Sequence, residues 1–596
     1  MSEPVTDPMS FVGYLNMAEK IEKNVRTKTI SLKKSIKIAY LSSFNPKGIK
    51  EVLAVKCFQR GVFADIYQCG YNQYAQELLN PQSGLYQFDP DVIILFIDKR
   101  TILGDLFYVP YKISELERRD WADEKFSELQ SLLAKAKSCS RAQILVHNFD
   151  VPYYSPLGIL ENKQDFGFIE SLRALNEKQK KACVGDGRLF LFDYDSFCSQ
   201  IGKKNVTDDR MYYLADMRLD SRYMPDLCDA YLMYLKPFLS FIKKCIILDL
   251  DNTLWGGIIG EDGIGGIKLG PTPEGRPFMD FQKHLLSLFQ RGVLLAIASR
   301  NNLEDALKAM REHPHMVLRE EHFASMRINW DDKISNIKAI AEEINIGLDS
   351  MIFIDDDKTN RERVKKALPE VLVVDLPEDP ALYARTLMEI DDFSTLQLTE
   401  EDRKRGEAYT AQRHRADLRK GADLSDYLES LKTVVKIGVA NPATIGRIAQ
   451  LTQKTNQFNM TTKRYLEADI VRKAESGHFL ILSLGLKDKF EDMGIIGVAI
   501  VETAADAWRI DNFLMSCRAI GRKAEEAFLA GILNKALRGN VRKVMGEFTP
   551  TAKNAPARDF YKNNGFRLIR REETLEVWGY DVLAEVPFPS CITIEG

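Results

Sequence analysis

Short apolar runs alternate with longer, mixed stretches along most of this chain. IKIAYLSS (36–43), VFADIYQCG (62–70), DVIILFID (91–98), AQILVHNF (142–149) and GRLFLFDYD (187–195) read as strands, with a helix near 50–60. Continuous apolar runs separated by helical stretches predict a parallel sheet covered on both faces. Residues 1–35, containing MAEKIEKN and the basic run RTKTISLKK, read as helical, and DAYLMYLKPFLSFIKK (229–244) as a helix leading into the next unit. There CIILDLD (245–251), VLLAIAS (293–299), MIFIDDD (351–357) and VLVVDLP (371–377) are the expected strands. Residues 399–424 are strongly charged and predict an exposed connecting helix. Strands VVKIGVA, FLILSLGL, GIIGVAIVET and RIDNFLMS follow, then a long helix GRKAEEAFLAGILNKAL.

Composition narrows the class. A chain of 596 residues exceeds one hydrophobic core, and 45% hydrophobic with 28% charged residues is ordinary for globular proteins. A net charge of −3 argues against a broad basic surface, hence against nucleic acid as partner. Nine cysteines form no CxxC pair, which suits reduced thiols in a cytoplasmic protein rather than disulfides or a structural zinc. No signal peptide is visible in MSEPVTDPMS, and no apolar stretch reaches the ~20 residues of a membrane span, so no membrane partner is expected.

The chemistry concentrates at strand ends of the second unit. Asp249 and Asp251 end its first strand, Ser299 its second, and Asp355, Asp356 and Asp357 its third, with Lys333 opening a helix between the last two. Carboxyl ends of neighbouring parallel strands share one crevice. So many carboxylates there call for a cation, and magnesium held by hard oxygens answers the repulsion. Asp249 can attack phosphorus as a nucleophile. Asp251 can protonate the leaving group and later activate water. Ser299 and Lys333 can hold the non-bridging phosphate oxygens. About fifty residues separate Asp249 from Ser299, and 34 separate Ser299 from Lys333. Neither gap accommodates a folded cap, so the site should be open to a large or tethered substrate, or lidded by a neighbouring domain.

This order resembles the haloacid dehalogenase (HAD) superfamily of phosphohydrolases, matched at Asp249, Asp251, Thr253, Ser299, Lys333, Asp355 and Asp356. The resemblance implies a magnesium site on Asp249, the Asp251 carbonyl and either Asp355 or Asp356. DLDNTLWGGIIGEDG (249–263), RNNLEDA (300–306), INWDDKISNI (328–337), FIDDDKTNRERV (353–364) and QKTNQFNMTTKRY (453–465) further resemble the FkbH-like family. That family implies an α/β chain with an SGNH-hydrolase-like parallel-sheet domain (36–242) after the helical segment 1–35. A capless, Rossmann-like HAD domain (243–395), a charged linker (396–428) and an acetyltransferase-like (GNAT) α/β domain (429–596) follow.

Characterised members, by the same resemblance, dephosphorylate 1,3-bisphosphoglycerate. They pass the glyceryl group through an enzyme thioester to the phosphopantetheine of an acyl carrier protein, in secondary-metabolite or polysaccharide biosynthesis. The thioester cysteine precedes the second-motif serine, where this chain has Ala298; Cys245 lies at the far end of the first strand and Cys517 in another domain. Alanine cannot form a thioester, which favours a phosphatase without acyl transfer. A non-catalytic carrier-docking protein is the remaining alternative, opposed by the intact acidic set.

In the last domain Arg518, Gly521 and Arg522 open a helix whose backbone amides suit a pyrophosphate of coenzyme A or phosphopantetheine, with Lys523 where a small residue is expected. Asn554, Tyr561 and Gly565 match the family's later helix. In the first domain Ser43 and Asn148 lie where an SGNH nucleophile and its partner would, but Asp226-Leu-Cys-Asp229 replaces Asp-x-x-His. Without a histidine base this domain reads as a scaffold or partner-binding module. His313 and His315 read as surface residues.

Overall fold

The computed structural model describes residues 9–26, 34–239, 241–396, 398, 403–419, 423–455, 457–465, 467–516, 519–551, 554–572 and 575–595. The chain forms two compact units, Met1–Ile242 with Asp391–Gln397, and Lys243–Ile390 with Leu398–Gly596. Among the described residues no helix is long and apolar enough to cross a membrane.

The first unit is built on β1 (Lys34–Ser42), β2 (Val62–Gln68), β3 (Val92–Phe96), β4 (Gln143–His147) and β5 (Leu189–Phe192). They pair in parallel in the order β2-β1-β3-β4-β5. Helices Phe11–Arg26, Ile49–Gln59 and Met224–Phe238 cover one face, and Glu115–Cys139 and Phe168–Cys183 the other. The helical expectation for 1–35 needs correction at its end, because Lys34 and Ser35 already belong to β1. There Lys34 to Ile38 alternate outward and inward, as a half-buried strand requires. Most of the basic run, 27–33, lies outside the described residues.

The second unit holds two sheets. The first is parallel, with β6 (Cys245–Leu248), β7 (Leu294–Ser299), β8 (Phe323–Ile328), β9 (Met351–Ile354) and β10 (Leu372–Val373) in the order β10-β9-β6-β7-β8. All residues of β6, β7 and β9 are buried, which is why they read as unbroken apolar runs. β8 escapes a sequence reading because this edge strand, FASMRI, mixes polar residues into its pattern. VLVVDLP yields only the two residues of β10.

The second sheet is mixed. It comprises β11 (Thr433–Val439), β12 (Phe458–Asn459), β13 (Phe479–Lys487), β14 (Asp492–Thr503), β15 (Trp508–Met515), β16 (Lys543–Phe548), β17 (Arg567–Arg571), β18 (Glu576–Asp581) and β19 (Ile592–Glu595). Its order is β17-β18-β16-β15-β14-β13-β11-β19. β15 and β16 pair in parallel only over Trp508–Ile510 and Val544–Gly546, and then part. Into that opening the chain inserts β12, antiparallel to Leu514 and Met515. Met460 N donates to Phe513 O at 3.0 Å, and Thr549 N donates to Met460 O at 2.8 Å, so the segment satisfies backbone groups on both sides.

Helix Arg405–Arg419 is not the exposed connector its charge suggested. Ala408, Thr410, Ala411, Arg413 and Arg415 are buried. Thr410 Oγ1 donates to Glu321 O and Arg413 Nη1 to Phe323 O, while Arg415 grips Asp488 at 2.7 Å. Arg413 and Arg415 are consumed in joining β8 to the mixed sheet, so the charge of this helix does not by itself mark a solvated face. His313 is likewise buried, capping helix Leu303–Glu312, while His315 is exposed.

Candidate active site

β6 lies between β9 and β7, so its last residues open into the crevice that all three share. The chain leaves β6 with Asp249 N still donating to Ile354 O at 3.0 Å, so Asp249 stands at the sheet's rim. Lys333, first residue of helix Lys333–Glu343, is buried and reaches back under this rim. Its Nζ lies 2.7 Å from Asp249 Oδ1 and 3.1 Å from Asp355 Oδ2, and donates to Ala298 O at 2.7 Å. Ser299 ends β7, buried, its carbonyl accepting from Asn329 N.

Asp251 is held differently. Oδ1 accepts from Trp255 Nε1 at 2.9 Å and from Ile259 N at 3.1 Å, and Oδ2 accepts from Asn301 Nδ2 at 2.8 Å. Three donors aim this carboxylate without placing it among the metal-binding oxygens. The turn that makes this possible runs through Asn252 and Gly257, both at positive φ (52° and 95°), where Asn and Gly are the residues that fit. Trp255, Asn301 and Ile259 were not singled out in the sequence; a Trp and an Asn beside an acidic motif carry no signal until the flap folds.

Asp249, Asp355 and Asp356 each bring a carboxylate oxygen within 4.8 Å of the others. Three carboxylates face one ammonium, leaving an excess that a divalent cation would neutralise. Asp249 Oδ1, although buried and close to Lys333, makes no hydrogen bond. Hard oxygens in this number and spacing fit magnesium, whose ligands sit about 2.1 Å from the ion. The side chain of Asp251 is outside this group, which leaves its carbonyl for the metal role that the resemblance implies.

The choice between Asp355 and Asp356 follows from their neighbours. Asp355, fully buried, takes Lys333 on Oδ2, while Asp357 N donates to Oδ1 at 2.8 Å and Asn360 Nδ2 lies 3.3 Å from Oδ2. Asp356 meets only Thr253, whose hydroxyl receives the Asp356 amide at 3.2 Å and lies 3.4 Å from Oδ1. Among the described residues Asp356 is therefore the carboxylate with fewer protein donors, and Thr253 holds its loop. Burial, then Asp249, pushes the Asp355 carboxyl up against the opposing pull of Lys333. Burial, with Asp249 and Asp355, pushes Asp356 up to about 6. Arg361 Nη1, donating to both loop carbonyls at 2.8 and 2.6 Å, fixes the turn.

Among the described residues neither insertion between the strands forms a separate folded cap. The residues between β6 and β7 form the flap and helices Ile259–Gly266 and Arg276–Gln290; those between β7 and Lys333 form helix Leu303–Glu312 and β8. Trp330, in the loop before Lys333, is 76% exposed.

Comparison with known proteins agrees with this geometry. Residues 43–235 match the family model described as FkbH, N-terminal domain. The N-terminal part of BF1531 from Bacteroides fragilis, a structure containing a phosphatase domain complexed with Mg, is 26% identical. The match covers 64% of this chain and 98% of that one, with a TM-score of 0.56. Over residues 43–235 the chain is similar to the FkbH N-terminal domain. Partial matches over 25% of the chain reach the ribosomal-protein-S18-alanine N-acetyltransferase of Escherichia coli (13% identity, 94% of that chain, TM-score 0.21). Ard1 of Thermoplasma volcanium matches similarly (18%, 99%, 0.21). No curated protein matches in sequence.

Ala298 is buried in the apolar cluster below the crevice with Cys245, whose thiol burial pushes up to about 12. Neither supplies an acyl-carrying atom; Cys517 lies outside the described residues. The coenzyme-facing set expected in the last region is corrected in three places. Arg522 is buried against Asp488 at 3.2 Å. Asn554 is fully buried, Nδ2 donating to Asn459 O and Thr549 O at 2.9 Å, and so ties down the inserted strand. Tyr561 is fully buried against Gly546. Asn554 and Tyr561 are consumed beside the opening between β15 and β16, and Arg522 at the turn that follows β13. Gly521 adopts φ 78° just before helix Ala524–Arg538, and Arg518 lies outside the described residues.

In the first unit, Ser43 Oγ accepts from Asp98 N at 2.9 Å and from Thr101 Oγ1 at 3.0 Å. Asn148 holds Asp193 and the Asp195 amide. Asp229 pairs with Lys56 and Arg60. The buried His147 stacks between Phe96 and Phe192 and meets Tyr231 Oη at 2.9 Å. These contacts build the domain rather than a triad.

Proposed function

We propose that this chain is a magnesium-dependent phosphohydrolase acting on a small phosphorylated metabolite, with an acyl phosphate such as 1,3-bisphosphoglycerate as the substrate its FkbH-like character suggests. The observation that carries the reading is Lys333 spanning Asp249 and Asp355 beside an Asp251 aimed by three donors. An Asp249 oxygen attacks phosphorus; the bond to the leaving oxygen breaks, and Asp251 gives that oxygen its proton. Water, deprotonated by Asp251, then cleaves the aspartyl-phosphate and releases phosphate. Ser299 and Lys333 hold the non-bridging oxygens throughout. Asp249, Asp356 and the Asp251 carbonyl would hold magnesium, which would supply charge neutralisation at the phosphoryl group.

The test is phosphate release from p-nitrophenyl phosphate and a panel of phosphometabolites, with magnesium and with chelator. Release should require the metal and vanish in Asp249→Asn at unchanged folding. A silent panel would remove the phosphatase reading.

A second reading adds transfer of the acyl group to the phosphopantetheine of a carrier protein. A cavity of about 470 Å³ beside the start of helix Ala524–Arg538, lined among others by Lys523, Glu526, Ser590 and Cys591, favours it as a place for such an arm. Mass spectrometry of candidate carriers after incubation with 1,3-bisphosphoglycerate tests it. Unmodified carriers despite phosphate release would leave the hydrolase alone.

A further inference from the structure

The four residues that leave β7 divide their work. Ser299 ends the strand at the crevice, Asn301 holds Asp251, and Asn302 caps helix Leu303–Glu312 by accepting from Glu304 N. Arg300, between them, is exposed, and its Nε donates to Asp331 O at 3.3 Å. That contact ties the loop after β7 to the loop that delivers Lys333. It also fixes the guanidinium at the crevice mouth, while Nη1 and Nη2 engage no other described residue.

The cations deeper in the site are committed. Lys333 is shared by Asp249, Asp355 and the Ala298 carbonyl, and Arg361 by two loop carbonyls. An anionic group on the substrate beyond the reacting phosphoryl therefore finds no partner inside. An anchored guanidinium with its fork free is shaped for a carboxylate or phosphate in a bidentate contact.

We propose that Arg300 receives a second anionic group of the substrate, so that the site selects phosphometabolites bearing a further carboxylate or phosphate. This rests on the phosphatase reading and narrows its substrate class. Among the described residues Lys358, exposed at the start of helix Lys358–Ala367 after β9, is a further cation at this end of the sheet, without such an anchor.

Calorimetric binding to the full magnesium-loaded chain tests this without turnover, using inorganic phosphate, 2-phosphoglycolate and 2,3-bisphosphoglycerate as probes. The chain should bind at least one of the two doubly anionic probes tenfold or more tighter than phosphate, and the stronger of them names carboxylate or phosphate as the second group. Arg300→Met should reduce that preference to within threefold and leave phosphate binding unchanged; Arg300→Lys should restore part of it. Four results would overturn the proposal: no preference in the unaltered chain, a preference that survives Arg300→Met, equal weakening of all three probes (a loop-stitching role only), or loss of preference in Lys358→Met instead. Failure of the phosphatase reading shows separately, as absence of phosphate release.

Discussion

Lys333 Nζ stands 2.7 Å from Asp249 Oδ1, and both groups are withdrawn from solvent, with side chains 4% and 13% exposed. The two groups to which the proposed function gives nucleophilic attack and phosphate binding are thus already paired in the structure.

Removing that cation leaves Asp249 and the fully buried Asp355 without their shared partner. Breaking a buried pair from one side costs about 3–5 kcal/mol. Lys333→Met should lower the melting temperature of the metal-free chain and enlarge the rise produced by magnesium, with phosphate release falling at least a hundredfold. An unchanged metal-free melting temperature would show that the ammonium is not needed to hold these carboxylates.

Asp356→Asn should abolish the magnesium-induced rise in melting temperature, because this carboxylate alone of the two is free of strong protein donors. Asp355→Asn should retain most of the rise. The reverse pattern in a thermal titration would make Asp355 the ligand.

His147 sets a pH dependence in the first unit. Its complete burial holds the imidazole well below its ordinary pKa, so the folded chain keeps it neutral while the unfolded chain binds a proton below about pH 6.5. A depressed folded pKa contributes stability that is present above the unfolded value and lost as pH falls. The slope should approach about 1.4 kcal/mol per pH unit below 6.5. Urea unfolding at pH 7 and pH 5.5 should show this loss, reduced in His147→Phe. Equal losses in both chains would assign the acid sensitivity elsewhere.

Arg415 and Asp488, with side chains 4% and 0% exposed, join the charged helix to the mixed sheet. Burial opposes ionisation of Asp488, yet the Arg415 hydrogen bond and the Phe490 amide hold its carboxyl below the usual range. Arg415→Met should destabilise by about 3 kcal/mol, and adding Asp488→Asn should recover part of the loss. A double variant as unstable as the sum of the singles would mean the two groups are not coupled.

The strands of both parallel sheets were legible because strands buried on both faces are apolar without interruption, as in Ile246–Leu248 and Leu294–Ala298. β8 was not, since an edge strand tolerates Ser325 and Arg327 within it. The charged helix misled because charge counts ionisable groups, not their partners: Arg413 and Arg415 are buried on carbonyls and a carboxylate. The inserted strand was quoted as a motif, QKTNQFN, but two residues of strand have no periodicity to detect.

By itself the sequence determined which chemical groups could meet: Asp249, Asp251, Ser299, Lys333, Asp355 and Asp356 recur at strand ends, and parallel strands bring such ends to one crevice. Only the tertiary structure decided how they divide the work. Asp251 turns to Trp255, Ile259 and Asn301, Asp355 to Lys333, and Asp356 to Thr253. Asn554 and Tyr561 go into the interior of the mixed sheet instead of facing a coenzyme. The physical reason is that residue order specifies what a side chain can do, whereas burial and competing partners specify which of those bonds it makes.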